Sequence, residues 1–148
     1  MHGFYIEKRT LAADTNLSTD LAQHILLRGT KGMVVVVTDK PHDLGSITKK
    51  QWELLIRKVQ RERASTLRAG RIAELSRQID WMQRLNFSTK IRDDLPESSV
   101  IFATPPELAK LPPICSTLYI TCGLDDRQLH FIASWLPKSC VIIRYDLN

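Results

Sequence analysis

Apolar positions along the chain follow two different patterns, continuous runs and helical spacing, and stretches with one pattern alternate with stretches of the other. Residues 33–38, MVVVVT, form a continuous β-branched run without polar alternation, which is typical of a strand covered on both faces in a parallel sheet. In residues 16–28 the apolar side chains recur at every third or fourth position, as on one side of a helix. The two patterns predict a buried strand and an amphipathic helix.

The rest of the chain continues this alternation. Further strands are predicted at 3–9, 100–104, 116–122 and 140–145, a short helix at 105–113, and longer helices at 48–85 and 125–136. Near-continuous apolar strands that alternate with helices predict an α/β fold. We expect one domain over residues 1–148, with a Rossmann-like, doubly wound, mainly parallel sheet of about five strands.

The helical pattern at 48–85 is much longer than the roughly 10–15 residues of an ordinary crossover helix. Residues 39–46 are predicted to be a loop before it, with Thr48 and Gln51 as a capping box at its start. Because a glycine inside a helix costs about 1 kcal/mol relative to alanine, a break near Gly70 is predicted. The segment is then either one extended helical element or a helical hairpin.

The apolar side of this segment reverses along its length. Trp52 and Val59 represent the apolar side of the first half. The second half presents its apolar residues on the opposite side of a continuous helix, and these are Ile72, Leu75, Ile79 and Met82. Either the helix breaks, with Ser65 or Thr66 capping a new helix, or the second half packs on something else. These four residues are therefore predicted to form a partner interface, with a homodimer as one possibility.

Positive charge is concentrated in residues 57–71, where six basic residues and one acidic residue give a net charge of +5. This equals the net charge of the whole chain, so the remaining residues sum to zero. The residues predicted to contact phosphate are Arg57, Lys58, Arg61, Arg63, Ser65, Thr66, Arg68 and Arg71. On an unbroken helix four of these arginines would form one basic ridge, and guanidinium groups bind phosphate oxygens well. A solvated arginine-rich face and an acidic protein partner are the alternatives.

Known sequence signatures of recognition and catalysis are missing. No aromatic residue lies between the basic ones, and no zinc-finger, helix-turn-helix or RNP-type pattern occurs, so we expect backbone contacts rather than base reading. The chain also lacks GxGxxG, GxxxxGK[ST] and GxSxG motifs. We expect no cofactor and no metal, and a protein that works by binding rather than catalysis.

Ligands of open α/β sheets usually bind beyond the carboxyl ends of the strands. The alternative site at those ends consists of Asp39, Lys40, His42, Thr104, Asp125 and Asp126, with Gly123 and Asp146 also placed there. Asp39 could accept a hydrogen bond from a ribose hydroxyl or hold a metal, or form an Asx turn. Asp125 with Gln128 fits a helix cap, and a cation site is the alternative. His24 and His130 are interpreted as structural.

Three cysteines, Cys115, Cys122 and Cys140, form no CxxC pair, and we expect buried free thiols in a reducing compartment. The first residues carry no signal-peptide pattern, and no apolar run could span a bilayer, so a cytoplasmic location is expected. The leading hypothesis is a nucleic-acid-backbone-binding or assembly subunit. The alternatives are a nucleotide-binding sensor or small hydrolase, and a protein-interaction subunit or homodimer without nucleic acid.

Overall fold

The computed structural model describes residues 6–29, 32–92, 94–96, 98–111 and 115–146. Its strands are β1 (Ile6–Thr10), β2 (Met33–Val37), β3 (Asn86–Ser88), β4 (Ser99–Ala103), β5 (Cys115–Ile120) and β6 (Val141–Asp146). Its α-helices are α1 (Leu17–Arg28), α2 (Pro41–Ser65), α3 (Ala69–Arg84) and α4 (Asp126–Trp135), and Pro105–Lys110 form a short 3₁₀ helix.

All six strands belong to one parallel sheet with the order β1-β6-β5-β2-β4-β3. The predicted α/β class and parallel sheet are confirmed, and the expected number of about five strands is one too low. The additional strand is β3, in which Phe87 pairs with Val100 of β4. The sequence predicts residues 87–99 as a loop that can start with a short strand, and that strand was not counted in the sheet because three residues are too few to show a strand period.

The apolar run at residues 33–37 forms the central strand β2, and both of its faces are buried, so polar residues do not alternate with apolar ones. Val34 and Val36 belong to the core on one face of the sheet, whereas Val35 and Val37 belong to the core on the other face. All four side chains are fully buried. The first core also contains residues of α1, α2 and α3, and the second contains residues of the 3₁₀ helix and α4. The sheet is therefore covered by helices on both faces, as predicted.

Helix α2 begins seven residues earlier than the sequence predicts. Pro41 occupies its first turn and Lys40 is the N-cap, so residues 41–46 are helical rather than a loop. Thr48 lies inside the helix and is fully buried, and the predicted capping box with Gln51 is wrong. A Cβ atom on Gly45 would lie 2.8 Å from Thr89 Cγ2, so glycine allows the N-terminal part of α2 to approach its neighbours closely.

The predicted break in the long helical segment is confirmed, but not in the way expected. Helix α2 ends at Ser65, and Gly70 lies in the first turn of α3 rather than at the end of α2. The Ser65 and Thr66 hydroxyls donate to the Glu62 carbonyl oxygen at 3.1 and 2.7 Å and do not cap α3, whose N-cap is Arg68. Their hydroxyls therefore bond the last turn of α2.

Helices α2 and α3 form an antiparallel hairpin. The Trp52 indole nitrogen in α2 donates to the Met82 carbonyl oxygen near the end of α3 at 2.9 Å. At the other end of the pair, Arg71 near the start of α3 contacts Glu62 near the end of α2 at 2.8 Å. Contacts from 52 to 82 and from 62 to 71 require opposite chain directions. The hairpin adds α3 to the ordinary crossover between β2 and β3.

Candidate functional site

The solvent side of α2 carries a row of basic side chains. Thr48, Trp52 and Val59 face the core. The helix positions on the opposite side include Lys50, Arg57 and Arg61, which are exposed and follow one another at intervals of seven and four residues. Lys58 is exposed beside them. We call Lys50, Arg57, Lys58 and Arg61 the basic face of α2.

No ion pair forms on this face within the part of the chain that the structure describes, although the exposed Glu53 lies on α2 three residues after Lys50 and four before Arg57. There, none of its four cationic groups has a carboxylate oxygen within 4.0 Å. Arg71 differs, because its guanidinium contacts Glu62 at 2.8 Å and Glu74 at 3.1 Å. The predicted role of Arg71 in the ridge is thus corrected, since two carboxylates pair with its charge.

The break between α2 and α3 also changes the other predicted phosphate contacts. Arg68 is exposed at the N-cap position of α3, outside α2, so it does not continue the helical row of Arg57 and Arg61. Arg63 is partly buried near the end of α2, and the hydroxyls of Ser65 and Thr66 are bonded to the backbone. A single ridge through Arg68 and Arg71 does not exist, because that prediction required an unbroken helix.

Two apolar side chains lie among these cations. Ile47 and Leu54 are 49% and 51% exposed and fall on the solvent side of α2 between the basic residues. At the tip of the hairpin, Leu67 is 97% exposed. The solvent side of α2 therefore combines exposed apolar side chains with exposed cations.

The face of α3 predicted to bind a partner is occupied within the same chain. Leu75, Ile79 and Met82 are 0%, 4% and 0% exposed and belong to the same core as Trp52. Ile72 is only partly buried. Because α3 folds back along α2, the reversed apolar side meets the core after all, and no dimer is needed to bury it. The predicted partner interface is corrected accordingly.

The alternative site residues gather at one edge of the sheet. They follow β2, β4 and β5, which are adjacent in the sheet, and these residues are Asp39, Lys40, His42, Thr104, Asp125 and Asp126. His42 lies in the first turn of α2 rather than in a loop. Thr104 donates from its backbone nitrogen and hydroxyl to the Glu107 carboxylate at 3.0 and 2.8 Å. Asp125 caps α4 and pairs reciprocally with Gln128, which confirms the capping interpretation.

Two further acids lie at this edge: Asp126 is in the first turn of α4, and Asp39 lies beside Cys122. Burial and, to a smaller extent, the Asp39 carboxylate together raise the pKa of the Cys122 thiol to about 11. The thiol is therefore protonated at neutral pH, which is the opposite of what a nucleophilic cysteine requires. All three cysteines are buried free thiols, as predicted.

A second group of charged residues lies at the carboxyl ends of β1 and β6. Lys8, Arg144 and Asp146 line a cleft of about 350 Å³ together with Cys122, Gly123 and Tyr145. Sequence reasoning placed Asp146 and Gly123 at this edge but missed Lys8 and Arg144. The missing information was strand order, because β1 and β6 are far apart in the chain and adjacent in the sheet.

A polar network joins α1 to two strands. The Arg9 guanidinium donates to Asp20 through Nε at 2.5 Å and Nη2 at 2.9 Å, and the Tyr145 hydroxyl donates to Asp20 at 2.8 Å. Beside it, His24 Nδ1 lies 2.8 Å from the Tyr119 hydroxyl oxygen. Burial opposes ionisation of Asp20, but the hydrogen bonds from Arg9 and Tyr145 bring its pKa below the usual value. Arg9, Asp20 and Tyr145 thus bond to one another, and His24 bonds to Tyr119. The interpretation of His24 as structural agrees with this geometry.

Within the described residues, no three histidine, cysteine or acidic side chains are grouped as metal ligands, and no helix has the length and apolar character needed to cross a membrane. The fold and its sites define an α/β protein with a doubly wound parallel sheet and a basic helical hairpin. No family model, curated protein or solved structure matches the chain.

Proposed function

We propose that this protein binds the phosphate backbone of nucleic acid through the basic face of α2. One observation carries the proposal. Lys50, Arg57, Lys58 and Arg61 are exposed on one helix side, without a carboxylate oxygen within 4.0 Å among the described residues. By contrast, Arg9, Arg71, Arg84 and Arg92 all contact carboxylates.

The dimensions of this face suit a polyanion. With a rise of 1.5 Å per residue, Lys50 and Arg61 lie about 16 Å apart along the helix axis. Duplex DNA carries one negative charge per about 1.7 Å of its axis, so the row can meet several phosphates at once. Arginine donates to phosphate oxygens through two nitrogens, which favours Arg57 and Arg61 as the strongest contacts.

The chemistry of the face favours backbone contact over base recognition. No aromatic side chain occurs between residues 57 and 71, so this stretch supplies no ring on which a base could stack. The apolar residues Ile47 and Leu54 could contact sugar carbons but carry no hydrogen-bonding groups. We therefore expect weak dependence on sequence and strong dependence on salt.

Fluorescence anisotropy with labelled random-sequence single-stranded RNA, single-stranded DNA and duplex DNA at two salt concentrations tests this function. The variant Lys50→Gln/Arg57→Gln/Arg61→Gln should bind at least about tenfold more weakly, and its salt slope should fall by about 2–3 because three phosphate contacts are lost. The matched control is Lys90→Gln/Lys110→Gln/Lys138→Gln, which removes three charges at exposed positions elsewhere. Absence of binding at 50 mM salt, or equal losses in both variants, would overturn the proposal.

A second candidate partner is an acidic protein surface, and the exposure of Ile47 and Leu54 favours it. Apolar contacts contribute more to a protein interface than to phosphate binding. The probe is a designed helical peptide with glutamate and leucine on one side. Ile47→Ser/Leu54→Ser should weaken peptide binding several-fold, whereas it should change nucleic-acid affinity by less than about twofold. The two candidates are thus separated by one variant.

A further inference from the structure

The cleft at the carboxyl ends of β1, β5 and β6 has features of an anion site that is separate from the basic face of α2. Lys8 of β1 and Arg144 of β6 are paired in register, so their side chains start about 4.8 Å apart on the same face of the sheet. Within the described residues neither has a carboxylate oxygen within 4.0 Å. Asp146 lines the cleft without pairing with either of them at that distance.

This register places two cationic side chains next to each other on neighbouring strands. The same row of the sheet continues through Ile120 and Val37, which are fully buried. Arg144 thus occupies a position that continues an apolar row, and it is only partly exposed. Like charges on directly opposite residues of neighbouring strands repel each other. An anion placed between the Lys8 ammonium and the Arg144 guanidinium would remove this repulsion.

The remaining lining narrows the class of ligand. The Asp146 carboxylate accepts hydrogen bonds only, so it would select a ligand that donates, such as a hydroxyl. Tyr145 is 4% exposed, so its ring presents almost no surface for stacking a base. A volume of about 350 Å³ lies at the small end of ligand sites. We propose that this cleft binds a small phosphate monoester that carries hydroxyl groups, with Lys8 and Arg144 on the phosphate and Asp146 on a hydroxyl.

Gly123 provides a way to close the cleft without disturbing the core. A Cβ atom added there would meet no atom within 4 Å, so a larger side chain can be accommodated on the protein side. Gly123 also lines the cleft. We therefore expect Gly123→Val to fold with an unchanged unfolding midpoint while it reduces the space for ligand.

The test is isothermal titration calorimetry at low salt with ribose 5-phosphate, compared with ribose and with inorganic phosphate. The full chain should bind ribose 5-phosphate more tightly than either fragment. Arg144→Gln and Lys8→Gln should each weaken binding about tenfold, since each removes a charge-assisted hydrogen bond. Gly123→Val should also weaken it, and Asp146→Asn should reduce the preference for ribose 5-phosphate over phosphate.

Control variants separate this site from the proposed function and from general charge effects. Lys138→Gln, which removes an exposed charge outside the cleft lining, should leave binding unchanged. Lys50→Gln/Arg57→Gln/Arg61→Gln should leave ribose 5-phosphate binding intact while it weakens nucleic acid. The proposal is overturned if ribose 5-phosphate does not bind, if Lys138→Gln weakens it as much as Arg144→Gln, or if phosphate alone binds equally well.

Discussion

The helical layer on one face of the sheet is attached in two different ways. At one end, the Arg9–Asp20–Tyr145 network holds α1 against β1 and β6 through hydrogen bonds at 2.5 to 2.9 Å. His24 and Tyr119 add a hydrogen bond between α1 and β5. Polar attachment of this kind fixes position and orientation, but its net contribution to stability is modest and depends on protonation.

At the other end, the α2–α3 hairpin is attached by apolar and aromatic contacts. Trp81, Trp52, Phe87 and Phe102 form a continuous series of rings from α3 to β4, with centroids 5.6, 5.8 and 6.2 Å apart. Leu75 is fully buried in the same core. Because this attachment uses one side of α2 and no charged groups, the other side of the helix remains available for cations. Helix α2 is thus both a core element and a charged surface.

The largest expected effect comes from the apolar attachment. Leu75→Ala should lower the free energy of unfolding by about 3 kcal/mol, because it leaves a cavity at a fully buried position. Chemical denaturation followed by circular dichroism measures this loss. The matched control is Leu67→Ala, the same change at a side chain that is 97% exposed, which should alter stability by less than about 0.5 kcal/mol.

Leu75→Ala also tests whether this side of α3 packs in the core of its own chain or against a second copy of the chain. If this side of α3 bound a second copy, the substitution would change the mass in light scattering and make the stability of the unaltered protein depend on concentration. We expect the same mass for both proteins and a concentration-independent midpoint. Equal losses for Leu75→Ala and Leu67→Ala would contradict the described packing.

The polar attachment should give the next effect. Asp20→Asn keeps the shape of the side chain but removes its charge, and it should lower the free energy of unfolding by about 2 kcal/mol. The loss is smaller than for a fully buried ion pair because the Arg9 side chain is 35% exposed. Asp80→Asn is the control, since Asp80 pairs with Arg84 on the exposed side of α3. It should cost less than about 0.5 kcal/mol, and a cost equal to that of Asp20→Asn would argue against the network.

The two attachments should also differ in their response to pH. Burial lowers the pKa of His24, and the nearby charges of Arg9 and Arg28 lower it further. Below about pH 6.5, His24 is therefore protonated in the unfolded chain but still neutral in the folded chain. Stability should therefore fall as the pH drops from 6.5 towards the folded pKa, by at most about 1.4 kcal/mol per pH unit. The pKa of Asp20 is lowered, so its contribution is present above about pH 4 and is lost at lower pH.

Thermal unfolding of His24→Gln between pH 5 and pH 7 measures this difference. The substitution should flatten the pH dependence in that range, whereas His130→Gln at an exposed position of α4 should leave the dependence as it is in the unaltered protein. Leu75→Ala should lower the whole curve without changing its slope. If the stability of His24→Gln still changed with pH as in the unaltered protein, other titrating groups would be responsible for the pH dependence.

The fold was largely predictable from the sequence because its strands are continuous apolar runs. A run such as Val34–Val37 has few other stable environments in a chain of this size. The break in the helical segment was also predictable, since a single helix cannot bury two opposite sides. Its consequence was not, because the reversal at Ile72 predicts a partner and a returning hairpin equally well. Long-range contacts distinguish them, such as the hydrogen bond from Trp52 to Met82 and the ion pair between Arg71 and Glu62.

The candidate sites were predictable to a smaller extent. The exposed cations of α2 follow from helix periodicity, but the pairing of Arg71 with Glu62 depends on the hairpin turn. Likewise, the pairing of Lys8 with Arg144 joins residues 136 positions apart, and no local pattern determines which strands are adjacent. Long-range strand order therefore decides which charged groups meet, and a single sequence carries little information about it.

The smallest expected effect concerns the hydroxyl of Thr48. Within the described residues its oxygen is buried and has no hydrogen-bond partner. Thr48→Val replaces the hydroxyl with a methyl group of similar size, so it should raise the free energy of unfolding by up to about 1 kcal/mol. The matched control is Thr121→Val, because the Thr121 hydroxyl is also buried but donates to the Val37 carbonyl oxygen at 2.7 Å. That substitution should lower the free energy of unfolding by about 1 kcal/mol. Urea denaturation measures both variants. Effects of opposite sign would show that the Thr48 hydroxyl, buried within the apolar attachment of α2, does not stabilise the fold.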